Sequence, residues 1–187
     1  FVGLLEERGG DILFEYDKRF LDSGIELSPF LLPLRPGVAS DPKRTFDGLF
    51  GVFNDSLPDG WGLLLLDRLL RRSGLPLERI TPLSRLSLVG RGGMGALEYE
   101  PVTPDPDPLP ERIDLDGVAE EAWRTLNEDP LPVETLRTLM ALNGSSCGAR
   151  PKIMVRVSGD RRLIVPDAVA EPGCDPWLIK FPARHDD

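Results

Sequence analysis

Two stretches of the sequence carry residue types suited to chemistry. The first is Gly144-Ser145-Ser146-Cys147-Gly148-Ala149-Arg150-Pro151-Lys152, a loop of small residues leading into the apolar run Ile153-Met154-Val155-Arg156-Val157. The second is Trp177-Leu178-Ile179-Lys180-Phe181, where a lysine stands inside an otherwise apolar, strand-like run. A glycine-containing loop lets backbone amides close around an anion in a concave nest. A lysine in an apolar strand is unfavourable unless its ammonium reaches water or an anion. Together the two features can share one phosphate group, the loop amides on its oxygens and the ammonium on its charge. Taken singly, Lys180 reads as a lysine on the open face of a half-buried strand. The loop itself spells neither G-x-G-x-x-G nor the P-loop pattern.

A different stretch does spell a phosphate motif. Gly90-Arg91-Gly92-Gly93-Met94-Gly95 matches the dinucleotide fingerprint letter for letter. That fingerprint works only after a strand and at the start of a helix, where the helix N-terminus meets the pyrophosphate. Here a helical pattern precedes the glycines and an extended run, Ala96 to Glu100, follows them. The spelling therefore predicts a helix-to-strand turn rather than a nicotinamide-cofactor site. Other chemistry has few residues to draw on. The chain has one histidine, His185, read as a solvated loop residue, and two cysteines, Cys147 and Cys174, at no zinc spacing. The cysteines read as two reduced thiols, with a disulfide the alternative. No metal site is expected, and the terminal Asp186 and Asp187 are not assigned to magnesium.

The elements that must position these residues read as α+β. Val2 to Leu5 and Ile12 to Tyr16 form a hairpin around a turn from Glu6 to Gly10. Ser28 to Leu34, interrupted by Pro29 and Pro33, is an edge strand or an extended loop. Ser56 and Asp59 have capping-box spacing before the stripe Leu65, Leu66, Leu69 and Leu70, with Arg68, Arg71 and Arg72 near the C-terminal end and Gly74 as the stop. Thr81 caps a second helix with Pro82 at its first position and Gly90 past its end. Val102 to Pro110 holds four prolines and predicts a stiff linker. Beyond it, Asp114 caps a helix whose apolar face is Leu115, Val118, Ala119, Ala122, Trp123 and Leu126. A further helix runs from about Val133 to Leu142 and stops at Asn143-Gly144. Strands follow from Ile153, from Arg162 and from Trp177.

Composition narrows the classes. Among 187 residues, 22 basic against 31 acidic residues leave a net charge of −9, which disfavours direct coating of nucleic acid. The 41% hydrophobic content is too high for a disordered chain, and no apolar run approaches the roughly 20 residues that span a bilayer. With 19 glycines and 19 prolines, many turns and loops are expected. The chain starts at Phe1 within a strand-like run and ends at Asp187 shortly after another, so both ends read as cut from a longer protein.

Four segments then resemble one family in the same order: Phe53-Asn54-Asp55-Ser56-Leu57-Pro58-Asp59-Gly60-Trp61-Gly62, the turn Val89-Gly90-Arg91 through Gly95-Ala96-Leu97, Gly148-Ala149-Arg150-Pro151-Lys152, and Trp177-Leu178-Ile179-Lys180-Phe181. They resemble the HipA family, the serine/threonine-kinase toxins of bacterial type II toxin–antitoxin systems. The resemblance implies a small β-rich N-terminal subdomain with helices over 1–101, a linker over 102–111, and the start of a kinase-like N-lobe over 112–187. In such N-lobes a glycine-rich loop covers ATP and a strand lysine pairs its phosphates. Carried onto this sequence, it implies that Ser145, Ser146, Cys147, Gly148, Ala149, Lys152 and Lys180 hold ATP. It also implies that Ser145, or its neighbour Ser146, is autophosphorylated. Arg150 stands where glutamine is usual. The family's catalytic aspartate, its metal-binding residues and the acidic partner of the strand lysine match nothing in these 187 residues, which alone are expected to lack kinase activity. ATP and Mg2+ are the implied cofactors of the intact protein. The implied partners are a HipB-like helix-turn-helix antitoxin, which would carry most of the contact with DNA, and a cytosolic protein substrate. No membrane partner and a cytoplasmic location are expected. The alternative is a non-catalytic N-terminal-like module that binds and inhibits a separate kinase.

Overall fold

In the computed structural model of the chain, residues 1–74, 80–101, 109–144 and 146–182 are described. The expected linker falls mostly on 102–108, which lies outside them, as do Ser145, His185, Asp186 and Asp187. The architecture is α+β: two three-stranded antiparallel sheets with helices between and beside them.

Strands β1 (Gly3–Arg8) and β2 (Asp11–Tyr16) pair from Gly3↔Tyr16 to Arg8↔Asp11. The turn is narrower than the sequence pattern predicts. Gly9 and Gly10 both take positive φ, 62° and 86°, so two residues suffice to reverse the chain, and Glu6, Glu7 and Arg8 continue the ladder. Helix α1 (Lys18–Leu21) follows, and β3 (Val38–Ser40) pairs with the other edge of β2. Period-two alternation sends Ile12, Phe14 and Tyr16 into a core shared with Leu32, Leu49, Phe50, Phe53 and Leu86. Its centre is aromatic: Phe14 meets Tyr16 edge-on at 4.7 Å and Phe53 at 4.9 Å. The buried Tyr16 hydroxyl donates to the Leu32 carbonyl at 2.9 Å, which holds the 28–34 segment as a loop with one isolated bridge, Ser28 to Leu32.

After the short helix α2 (Gly51–Asn54), helix α3 (Gly60–Arg72) buries Leu65, Leu66, Leu69 and Leu70, each burial contributing about 2 kcal/mol. It stops at Gly74, whose positive φ of 72° lets its amide reach back to the Arg71 carbonyl. Helix α4 (Pro82–Val89) has Thr81 as its cap, the side chain accepting from the Ser84 amide, and Pro82 at its first position. No ladder forms over 96–100, where a strand is predicted. Tyr99 returns to the end of α4 through its amide on the Gly90 carbonyl, 3.0 Å, and its flank packs on the aromatic core.

The second core joins both halves of the sequence. Trp61, Leu65 and Leu69 of α3 pack with Val118 and Ala122 of α5 (Leu115–Leu126), with Leu136, Leu139 and Leu142 of α6 (Val133–Asn143), and with Ile153, Val155 and Val157 of β4 (Lys152–Ser158). Trp123, expected on the apolar face of α5, is 56% exposed. It lies about 100° round the helix from Ala122, at the flank of the stripe rather than its middle. Strand β4 is central, with β5 (Ile164–Pro166) on one side and β6 (Cys174–Lys180) on the other. Among the described residues no helix is long and apolar enough to cross a membrane.

Candidate functional site

The site is built where α6 ends and β4 begins. Gly144 takes the left-handed conformation, φ 57° and ψ 33°, which ends α6 and turns the chain across the sheet. It sits tightly there: a Cβ at this position would lie 3.0 Å from the Met154 sulfur and 3.4 Å from the Gly92 carbonyl. The buried Asn143 side chain braces the start of the loop, its Oδ1 accepting from the Ser146 hydroxyl at 3.1 Å.

Further along, the backbone of one residue gathers three bonds. The Gly148 amide donates to Asp59 Oδ1 at 2.7 Å. Its carbonyl accepts from the Trp61 amide at 3.1 Å and from Lys152 Nζ at 2.8 Å. These contacts correct the expected capping box. Asp59 does occupy the N-cap of α3, but its carboxylate makes no bond to the amides of its own helix. The Ser56 hydroxyl accepts from Tyr99 at 2.8 Å instead. Of the amides left free at the start of α3, that of Trp61 is satisfied by the loop. Such an approach demands glycine. A Cβ on Gly60, φ 43°, would lie 2.7 Å from the Gly148 carbonyl carbon and oxygen, and one on Gly62 would lie 2.7 Å from the Asn143 amide nitrogen.

Below the loop, β4 and β6 pair in a register that sets Lys152 opposite Lys180. Cross-strand partners share a face, so both ammonium groups belong to the face opposite the Ile153, Val155 and Val157 core. The pairing is locked one step further by the Phe181 amide on the Pro151 carbonyl, 2.9 Å, with the Phe181 ring buried. Lys152 is only 2% exposed, whereas Lys180 is open to solvent. Burial pulls the Lys152 ammonium below the usual lysine range, and Lys180 adds to the fall. The Asp59 carboxylate opposes it, as does Cys147 more weakly. Like charges facing each other across a ladder are unfavourable, so an anion between them would relieve the site. The Gly148 carbonyl takes one of the three donors that the Lys152 ammonium carries.

Of the residues singled out in the sequence, Ser145 lies outside the described residues. Ser146 turns inward to Asn143, while Cys147, Gly148 and Ala149 form the exposed crest of the loop. Lys152 and Lys180 are brought together across the ladder. Cys147 and Cys174 are free thiols, one exposed and one buried. Asp59, Gly60, Trp61 and Asn143 belong to the site but were not singled out as such. The only sequence signal for them was a glycine on each side of Trp61, where a helix would ordinarily avoid glycine. The 90–95 turn follows a helix and leads into no helix, so it lacks the context of a dinucleotide site. Among the described residues no group of three or more histidines, cysteines or carboxylates could hold a metal ion.

The arrangement can therefore hold an anion, and it contains no described acid–base or metal centre. No curated protein and no solved structure matches the chain. A family model described as the HipA N-terminal domain matches residues 1–100, which include β1 to β3, α3 and the Asp59 brace. That match covers more than half of the sequence, and the chain belongs to the HipA family.

Proposed function

We propose that this chain is the N-terminal portion of a HipA-like toxin of a type II toxin–antitoxin system, a protein that transfers the γ-phosphoryl group of ATP to a serine or threonine of a cytosolic protein. The observation that carries the reading is the Lys152–Lys180 pair on one sheet face beneath the Gly148 loop. Two cations beside a loop of small residues fit the phosphates of ATP, whose charge is spread over several oxygens. In this reading Lys180 pairs the outer phosphates, Lys152 holds the loop and adds charge from below, and Ser146, Cys147, Gly148 and Ala149 cover the nucleotide. ATP supplies the phosphoryl group when bound. The described residues do not fit a Mg2+ site, so no step through the metal is assigned to them.

Ser145 is proposed as the autophosphorylation site, with Ser146 the competing choice. A phosphate of charge near −2 in the loop would compete with ATP for the two lysines. A HipB-like helix-turn-helix antitoxin is the proposed partner, carrying most of the contact with DNA, which agrees with the chain's own net charge of −9. A cytoplasmic location goes with these partners. A non-catalytic module that inhibits a separate kinase is favoured by one observation, the restriction of the family match to 1–100.

Titration of the protein with ATP separates the two readings. The wild type is expected to bind, and Lys180→Ala to bind at least about tenfold more weakly, the loss of one charge-assisted contact. Equal affinities would remove Lys180 from the site. A wild type that ignores ATP would favour the inhibitor module.

A further inference from the structure

Residues 1–100 bond to the anion-holding loop at the first turn of α3. Asp59 there spends its carboxylate on the amide of Gly148, 89 positions away in sequence, and none of it on its own helix. The residue it grips is the one whose carbonyl faces Lys152 Nζ at 2.8 Å. Gly148 is held through both peptide groups that flank its Cα, the amide it shares with Cys147 bonded to Asp59 and the carbonyl it shares with Ala149 bonded to Trp61 and Lys152, so the two planes are fixed relative to each other. Gly60 and Gly62 carry no Cβ at positions where one would lie 2.7 Å from the Gly148 backbone and from the Asn143 side-chain nitrogen, so α3 reaches the loop backbone and its bracing side chain directly. The contact is thus built from both sides. Its one charged member on the α3 side is Asp59.

We propose that Asp59 is a positioning residue: from the N-terminal family domain, it fixes the backbone at Gly148 so that the loop and the Lys152 ammonium are pre-arranged for a nucleotide's phosphates. This rests on the ATP reading of the loop. Its consequence is that nucleotide affinity is set partly by the N-terminal domain, which does not itself supply the lysines. Pre-arrangement acts by removing the cost of ordering the loop when the ligand arrives.

Asp59→Ala removes the acceptor, and Asp59→Asn keeps an oxygen at the same place without the charge. Amide hydrogen exchange of the ligand-free full chain reads the brace directly, with the amides of the buried Leu66 in α3 and Val155 in β4 as controls for global opening. In Asp59→Ala, Gly148 is expected to exchange about ten to a hundred times faster, the weight of a hydrogen bond to a charged group, while the two control amides keep their rates. Asp59→Asn is expected to stay within a few-fold of wild type. Titration of the same three proteins with ATP is then expected to weaken about tenfold for Asp59→Ala and to be largely rescued in Asp59→Asn. Unchanged Gly148 exchange in Asp59→Ala overturns the proposal, as does a freed Gly148 with undiminished ATP affinity. In both cases a wild type that binds ATP leaves the nucleotide reading standing. A wild type that binds no ATP overturns that reading and with it the pre-arrangement for phosphates, even if the exchange data show Asp59 bracing the loop.

Discussion

Two glycine-rich turns lie close together in this molecule, and they are built in opposite ways. The Gly92 carbonyl of the first lies 3.4 Å from where a Cβ of Gly144, in the second, would sit. The 90–95 turn has the spelling of a phosphate loop but almost nothing behind it. A Cβ on Gly95 would meet nothing within 4 Å, and the ion pair of Arg91 with Glu100 is on the surface. The 144–151 turn has no such spelling, yet it is wedged between α3 and β4, hydrogen-bonded at Ser146 and Gly148, and underlain by a buried lysine. Glycine spacing describes what a backbone is free to do. What stands behind the loop decides whether that freedom is used to hold anything.

Substitutions at the two turns make the contrast measurable. The largest effect is expected from Gly60→Ala, which meets the Gly148 backbone and must adopt a left-handed φ: about 3 kcal/mol of stability, read from urea denaturation. Its counterpart Gly95→Ala should change stability by less than about 0.5 kcal/mol, and a comparable loss at both would erase the distinction. Gly144→Ala comes next, at about 2 kcal/mol, because the left-handed C-terminal cap and the nearby Met154 sulfur both resist a methyl group; Gly144→Asn should recover part of it. Ser146→Ala leaves the buried Asn143 oxygen without its hydroxyl partner and should cost about 1 kcal/mol in the same assay.

The smallest effects are electrostatic and belong to the second turn alone. Because burial lowers the Lys152 pKa, the folded state gives up this proton before the unfolded chain does. The unfolded state then binds more protons between the lowered value and 10.5, so stability rises with pH across that window. Lys152→Met should flatten this rise in a pH series of denaturation midpoints. Phosphate binding favours the charged ammonium, so ATP affinity should fall as pH climbs through the lowered pKa, below the range where an ordinary lysine titrates. An ATP affinity that does not fall across this range would separate Lys152 from the ligand.

Much of the fold was legible because it rests on local rules. Helix α5 runs over Leu115–Leu126 with Asp114 as its cap, and α4 begins at Pro82 behind Thr81, as periodicity and capping chemistry predict. Errors arose where a local rule had a distant competitor. Ser56 and Asp59 have the spacing of a capping box, but Tyr99 takes the serine and Gly148 takes the aspartate. Trp123 keeps helical spacing yet stands at the edge of the contact, where its ring is exposed. The segment 96–100 has strand composition but finds no neighbouring strand to pair with.

The division follows the range of the forces. Sequence alone determined the order of the elements, the turns that need glycine, the α+β class, and the residues that resemble the family, because each depends on neighbours a few positions away. Only the tertiary structure decided that Lys152 and Lys180 share one face, since that follows from the β4–β6 register. It also decided that Asp59 serves the loop rather than its own helix. A carboxylate goes where an unsatisfied amide is delivered to it, and the amide of Gly148 arrives from 89 residues away through the packing of α3 on α6 and β4.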